Sequence, residues 1–172
     1  SLLGISLMEL GKIEQAKYYF EKVVSLIPNY GSALSNLAQS EMLAGNYSQA
    51  ISNLLDAKKN DDTSTSVTLL LVEAYIKTKQ FTKAKILTSK LAALQPENSY
   101  FQQQHGIALG FSGDIAEARI AFEKSLALEP TNSEAIIHLA RMELVEQGPQ
   151  PAIALLKNKL ESQTNSTPLI VK

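Results

Sequence analysis

"FEKVVSLIP" at residues 20–28 returns as "FEKSLALEP" at residues 122–130, 102 residues further on. That separation is three steps of 34, and stepping by 34 uncovers the copies between. From Ala16 the steps land on Ala50, Ala84, Ala118 and Ala152, without one insertion. From Phe20 they land on Leu54, Thr88, Phe122 and Leu156; from Gly4, on Ala38, Val72, Gly106 and Ala140. Pro28 leads to Asp62, Pro96, Pro130 and Thr164, and a bulky column runs Ile13, Tyr47, Phe81, Ile115 and Pro149. A unit this short cannot bury an apolar face alone, so a fixed period restricts the chain to a stack in which neighbours cover one another.

Each unit reads as two helices. In "SALSNLAQSEML" (32–43) the apolar residues 34, 37, 38, 42 and 43 keep the three-and-four spacing of one helical face. "YSQAISNLLDAKK" (47–59) does the same with Tyr47, Ala50, Ile51, Leu54, Leu55 and Ala57. The "GN" at 45–46 and "GD" at 113–114 predict a glycine that ends one helix and an Asn or Asp that caps the next. Asp114 with Glu117 reads as a capping-box variant. The Pro column closes the second helix, because Pro cannot donate to the preceding turn. The Ala and Gly columns mark points where a larger side chain would hold the helices apart. The expected fold class is therefore all-α, about ten helices in antiparallel pairs.

The units run 1–30, 31–64, 65–98, 99–132 and 133–166, with 167–172 opening a sixth. Ser1 falls inside the first helix of its unit, so the segment is expected to come from a longer array. Leu169, Ile170 and Val171, with the outer face of helix 150–162, are then expected to support weak self-association through the ends.

Composition narrows the function classes. Sixteen Lys and Arg stand against 17 Asp and Glu, a net charge of −1, with 45% apolar residues. Near-neutrality argues against general nucleic-acid affinity, which rests on neutralising phosphates. Cysteine is absent, which excludes disulfides, thiolate chemistry and Cys-bound zinc. No apolar run approaches the roughly 20 residues that a membrane-spanning helix needs. The third unit is the basic one, with Lys77, Lys79, Lys83, Lys85 and Lys90 against Glu73 and Glu97. Its "KTKQFTKAK" has no row of stacking aromatics and reads as a solvated face.

No catalytic constellation, metal site or cofactor motif can be read. His105 stands where its column otherwise holds Leu3, Leu37, Leu71 and Leu139, which predicts a buried histidine with a hydrogen-bond partner. His138 lies elsewhere in its unit, and the two histidines share no helix at metal-ligand spacing. Glu134 with His138, and Glu143 with Glu146, read as helix-surface charges.

"LGISLMELGKIEQAKYYFEKVVSLIP" (3–28) resembles the tetratricopeptide repeat, through Leu3, Gly4, Leu7, Ala16, Phe20 and Pro28. The chain departs from that pattern in lacking Trp, in Asp62 and Thr164 for Pro, in Thr88 for Phe, and in Lys159. The resemblance implies a right-handed superhelical solenoid and a concave groove lined by the first helix of each pair. Carried over, it places Ser35, Asn36, Gln39, Leu69, Leu70, Glu73 and Lys77 on that inner face. It also places Gln103, Gln104, Ile107, Phe111, Ile137, His138 and Arg141 there. The set is amide-rich and apolar, unlike the Lys, Arg and Asn cluster that clamps a terminal carboxylate. It suits a peptide or helix segment of a protein partner, so the expected function is a non-catalytic protein-interaction scaffold in a larger bacterial assembly. Repeat five, "AIIHLARMELVEQGPQPAIALLKNKL" (135–160), is also similar to units of long bacterial tetratricopeptide lipoproteins that accompany exosortase (PEP-CTERM) exopolysaccharide systems. That narrower resemblance implies an envelope-anchored parent in polysaccharide or protein export, its repeats acting as spacer or platform; without it a cytoplasmic scaffold is expected.

Overall fold

The structure, a computed structural model, describes residues 1–165, with side chains to Lys159. The expected start of a sixth unit, with Leu169, Ile170 and Val171, lies outside the described residues. Ten helices and no strand occur among those described. They are α1 (Leu2–Glu9), α2 (Ile13–Leu26), α3 (Gly31–Leu43), α4 (Tyr47–Asn60) and α5 (Thr65–Lys77). The rest are α6 (Phe81–Leu94), α7 (Ser99–Ser112), α8 (Ile115–Leu128), α9 (Ser133–Glu146) and α10 (Pro149–Asn165). The chain forms two compact units, one to Leu87 and one from Thr88. In the first, α1 packs on α2, α2 on α3, α3 on α4 and α4 on α5. In the second, α7 packs on α8, α8 on α9 and α9 on α10.

The turn inside each of the first four pairs is built by the backbone. The amides of Lys12, Asn46, Gln80 and Asp114 bond back to the carbonyls of Leu7, Glu41, Tyr75 and Leu109. One residue earlier, Gly11, Gly45, Lys79 and Gly113 donate to Met8, Met42, Ile76 and Gly110. This is the paired-bond helix stop that needs a left-handed residue. Glycine supplies it at φ +71, +83 and +85°, and Lys79 adopts +58° in the third repeat.

The expected side-chain caps at Asn46 and Asp114 do not form. The Asn46 amide instead donates to Glu41 Oε2 at 2.8 Å. Side-chain caps appear instead at the starts of α5, α7 and α9: Ser64 accepts from Val67 N, Asn98 from Phe101 N and Asn132 from Ala135 N.

The Ala column is the tightest part of the packing. Ala16, Ala50, Ala84 and Ala118 have no exposed surface, and Ala152 retains 6%. Beside it, the Gly column meets the Phe column. A Cβ on Gly4 would lie 2.6 Å from the Phe20 ring, and one on Gly106 would lie 2.8 Å from Phe122. Each ring, at 2% exposure or less, contributes about 2–3 kcal/mol of apolar burial. Leu7, Ala16, Phe20 and Leu37 gather in the first unit, and Leu109, Ala118, Phe122, Leu126, Ile136 and Leu139 in the second.

Two ion pairs occupy matching places. Lys17 of α2 reaches Glu41 of α3 at 2.8 Å, and Arg119 of α8 reaches Glu143 of α9 at 2.6 Å. The second pair is the first displaced by 102 residues. The Glu41 side chain is 4% exposed, so Lys17 and Asn46 together satisfy a buried carboxylate. The hydrogen bond to Glu41 holds the Lys17 ammonium above its ordinary pKa, as the bond to Glu143 does for Arg119.

Candidate protein-interaction site

The three inner-face residues expected on α3, and four of the seven expected on α7 and α9, gather around two clefts of opposite chemistry, one in each unit. In the first unit, Ser35, Asn36 and Gln39 of α3 line a cleft of about 470 Å³. Its other walls are Tyr30 and Ser32, Asn60 and Asp61 at the end of α4, and Ser64, Ser66 and Val67 at the start of α5. Hydroxyls, amides and one carboxylate dominate, groups that exchange hydrogen bonds with an extended backbone. Leu69 and Leu70 are half-buried further along α5, where Glu73 and Lys77 are exposed.

In the second unit, Ile107, Phe111, His138 and Arg141 line a cleft of about 620 Å³ between α7 and α9. Gly106, Gly110, Ile115, Phe122, Met142, Val145 and Glu146 complete it. Gly110 has nothing within 4 Å of where a Cβ would stand, so α7 presents bare backbone there. The His138 imidazole stacks on Phe122, with ring centroids 4.8 Å apart and planes 3° from parallel. Burial pushes the His138 pKa below its ordinary value and nearby Arg141 adds to this, while Glu134 opposes it. The imidazole is therefore mainly neutral at pH 7, and Arg141 carries the open positive charge. Glu146 is held by Arg119 at 2.8 Å. Glu143 and Glu146, expected as loose surface charges, are thus fastened to α8 by one guanidinium.

Gln103 departs from the expected inner face. It is 4% exposed, its amide donating to Glu134 and its carbonyl accepting from Asn132 Nδ2 at 2.8 Å. The Asn132 amide also reaches Ser99 and Ser125, which closes a polar network between α7, α8 and α9. Gln104 is half-buried. Ile137 turns toward α10, where with Arg141, Leu144, Ile153 and Leu156 it lines a smaller cleft of about 250 Å³. His105 is half-buried with Nδ1 3.1 Å from the Thr88 hydroxyl, so the polar residue in the Phe column partners the polar residue in the Leu column.

Gly110, Met142 and Val145 were missed by the residue-by-residue carry-over. Their signal is positional: Gly110 is four residues beyond Gly106, and Met142 and Val145 follow His138 by four and seven, on one helical face. Among the described residues no group of three or more His, Asp or Glu could hold a metal ion. None of the described helices is long and apolar enough to cross a membrane.

Residues 1–30 and 100–132 match the tetratricopeptide repeat family. Lipopolysaccharide assembly protein B of Haemophilus influenzae is 24% identical over 175 residues, 96% of this chain. The match spans 44% of that protein, so the chain covers less than half of this relative's length. MamA from Desulfovibrio magneticus RS-1 superposes with a TM-score of 0.83 at 16% identity, covering 95% of this chain and 93% of its own. YrrB, a tetratricopeptide protein with an unusual peptide-binding site, gives 0.73 at 16% identity, over 95% and 84% of the two chains. At these identities the superpositions speak for the fold. The described residues have the all-α, paired-helix fold of the tetratricopeptide proteins on which they superpose, and the family match itself falls on the first and fourth repeats.

Proposed function

We infer that this chain is a non-catalytic scaffold that takes a peptide or helix segment of a protein partner into clefts on the first helices of its pairs. The observation that carries the reading is the gathering of Asn36 and Gln39, and of Ile107, Phe111, His138 and Arg141, around two clefts. Each cleft falls in the size range of a ligand site, with walls of groups suited to polypeptide. The peptide-binding site named for YrrB, a structural neighbour, supports the same reading. The test is nuclear magnetic resonance mapping with peptides enriched from an unbiased random library. Signals of Asn36, Gln39, Phe111 and Arg141 should shift. No enrichment, or shifts confined to exposed Lys83 and Lys90 on α6, would overturn it.

A second reading is a part in building a cell-envelope polysaccharide. The relative named for lipopolysaccharide assembly favours it. Titrating acidic and neutral oligosaccharides against the same resonances tests it: saturable shifts at Tyr100 and Phe111, the exposed rings nearest a sugar platform, are expected, and silence would remove it.

A further inference from the structure

We propose that the second-unit cleft seats an amphipathic helix of the partner, its apolar anchor lying over the bare backbone at Gly110 and a carboxylate facing Arg141. The inference rests on the scaffold reading and specifies the partner's chemistry at one of its clefts. The cleft walls are two helices, with Ile107 and Phe111 spaced by four on α7 and Met142 and Val145 by three on α9. Apolar positions at those intervals match the stripe of an incoming helix. Beneath them the Phe122–His138 stack forms a flat floor, and the gap above Gly110 is open.

Exposure decides between a helix and a small molecule. Val145 is 86% exposed, Phe111 52% and Ile115 44%, so a compact ligand in the gap would leave this apolar rim in water. A helix lying across the mouth covers it. Charge complementarity selects the helix's polar face. Glu146 is engaged by Arg119, which it shares with Glu143, the imidazole is largely uncharged, and Arg141 makes no ion pair with a described residue. The open charge at the mouth is a cation, which calls for Asp or Glu on the partner. The first-unit cleft, lined by hydroxyls and amides, lacks this apolar rim.

The probe is a displayed library of a stable helical peptide with one face randomised, selected on the whole chain. Enriched clones should combine an aromatic or Leu anchor with Asp or Glu within one helical turn. Gly110→Leu puts a side chain into the gap from a Cβ position with nothing within 4 Å, and Arg141→Glu reverses an exposed charge; each should weaken those clones by about tenfold or more. Circular dichroism should show both variants as helical as the parent. Clones indifferent to both substitutions overturn the proposal, as do clones that carry a basic face. Clones that instead respond to Asn36→Ala or Gln39→Ala overturn it while leaving the scaffold reading intact. No enriched clone from this library, with extended random peptides still binding, sinks the helix proposal alone; failure of both libraries sinks the scaffold reading too.

Discussion

The Phe122 ring occupies the space where residue 106 would carry a Cβ, 2.8 Å from that position. The glycine is therefore a steric requirement of the phenylalanine 16 residues later. The same exchange of volume runs along the array: Gly4 with Phe20, Ala38 with Leu54, Ala140 with Leu156. Gly106→Ala should cost about 1–3 kcal/mol by overpacking, although alanine is the better helix former. Phe122→Leu alone should cost about 1 kcal/mol or more through lost burial. Together they recreate the Ala38–Leu54 combination, so the double variant should lose less than the sum. Urea unfolding of the four proteins measures this coupling, and strict additivity would contradict the steric account.

Lys17→Met removes the cation from Glu41 and leaves a carboxylate, 4% exposed, to Asn46 alone. The expected loss is about 1–3 kcal/mol. Lys17→Met combined with Glu41→Met should recover most of it, because a buried pair replaced by apolar side chains of similar volume is near neutral. Thermal unfolding resolves the two cases; a double variant weaker than the single one would show that the pair itself stabilises the fold.

Lys79 sits at φ +58° where the matching turns use glycine. Relieving that left-handed strain with Lys79→Gly gains about 1 kcal/mol, partly offset by the greater freedom of glycine in the unfolded chain. The net expectation is a small stabilisation of up to about 0.5 kcal/mol. A loss above about 1 kcal/mol in chemical denaturation would mean that the Lys79 side chain contributes contacts that outweigh its backbone.

His138 has a folded-state pKa below its ordinary value of 6.5, chiefly from burial. The unfolded chain therefore binds the proton more tightly than the folded chain. Stability from this residue is complete above about pH 6.5 and falls as pH drops below that value toward the folded pKa. His138→Phe keeps a ring against Phe122 and removes the titration, while the other histidine, His105, is common to both proteins. The variant should gain on the parent as unfolding is measured from pH 7.5 down to pH 5 (roughly the span over which histidine changes charge). A constant difference across that span would refute the assignment.

What was legible in the sequence is what the backbone geometry repeats. The Ala column and the Gly4 and Gly106 positions sit at close helix contacts, so any larger residue is penalised there and the period survives. The turns were legible as turns for the same reason, since three of the four matching left-handed positions are glycine. Side-chain destinations were less so. Asn46 looked like a cap because Asn commonly is one, yet a buried carboxylate five residues back takes its amide. Gln103 looked like an inner-face amide because its helical phase points that way. Its partners, Asn132 and Glu134, lie about one repeat further on, and only the packing of α9 on α8 and α7 brings them within reach. The clefts divide by chemistry for a related reason: whether a first-helix residue borders open space depends on glycines such as Gly110, whose effect is the absence of a side chain.

An array of look-alike hairpins faces an ambiguity of order, because any second helix could dock on the wrong first helix. The matched pairs Lys17–Glu41 and Arg119–Glu143 stand at two of the junctions. At the two junctions between them in sequence, the same positions hold Ile51 with Tyr75 and Lys85 with Leu109. A slipped docking would set Ile51 against Glu41 or Lys17 against Tyr75, stranding a charge where water is scarce. At the first junction the ion pair thus acts as an address: Lys17 finds its carboxylate on its own neighbour and a tyrosine on the next one along. That makes the succession of hairpins there, as well as their shape, a property encoded in this chain.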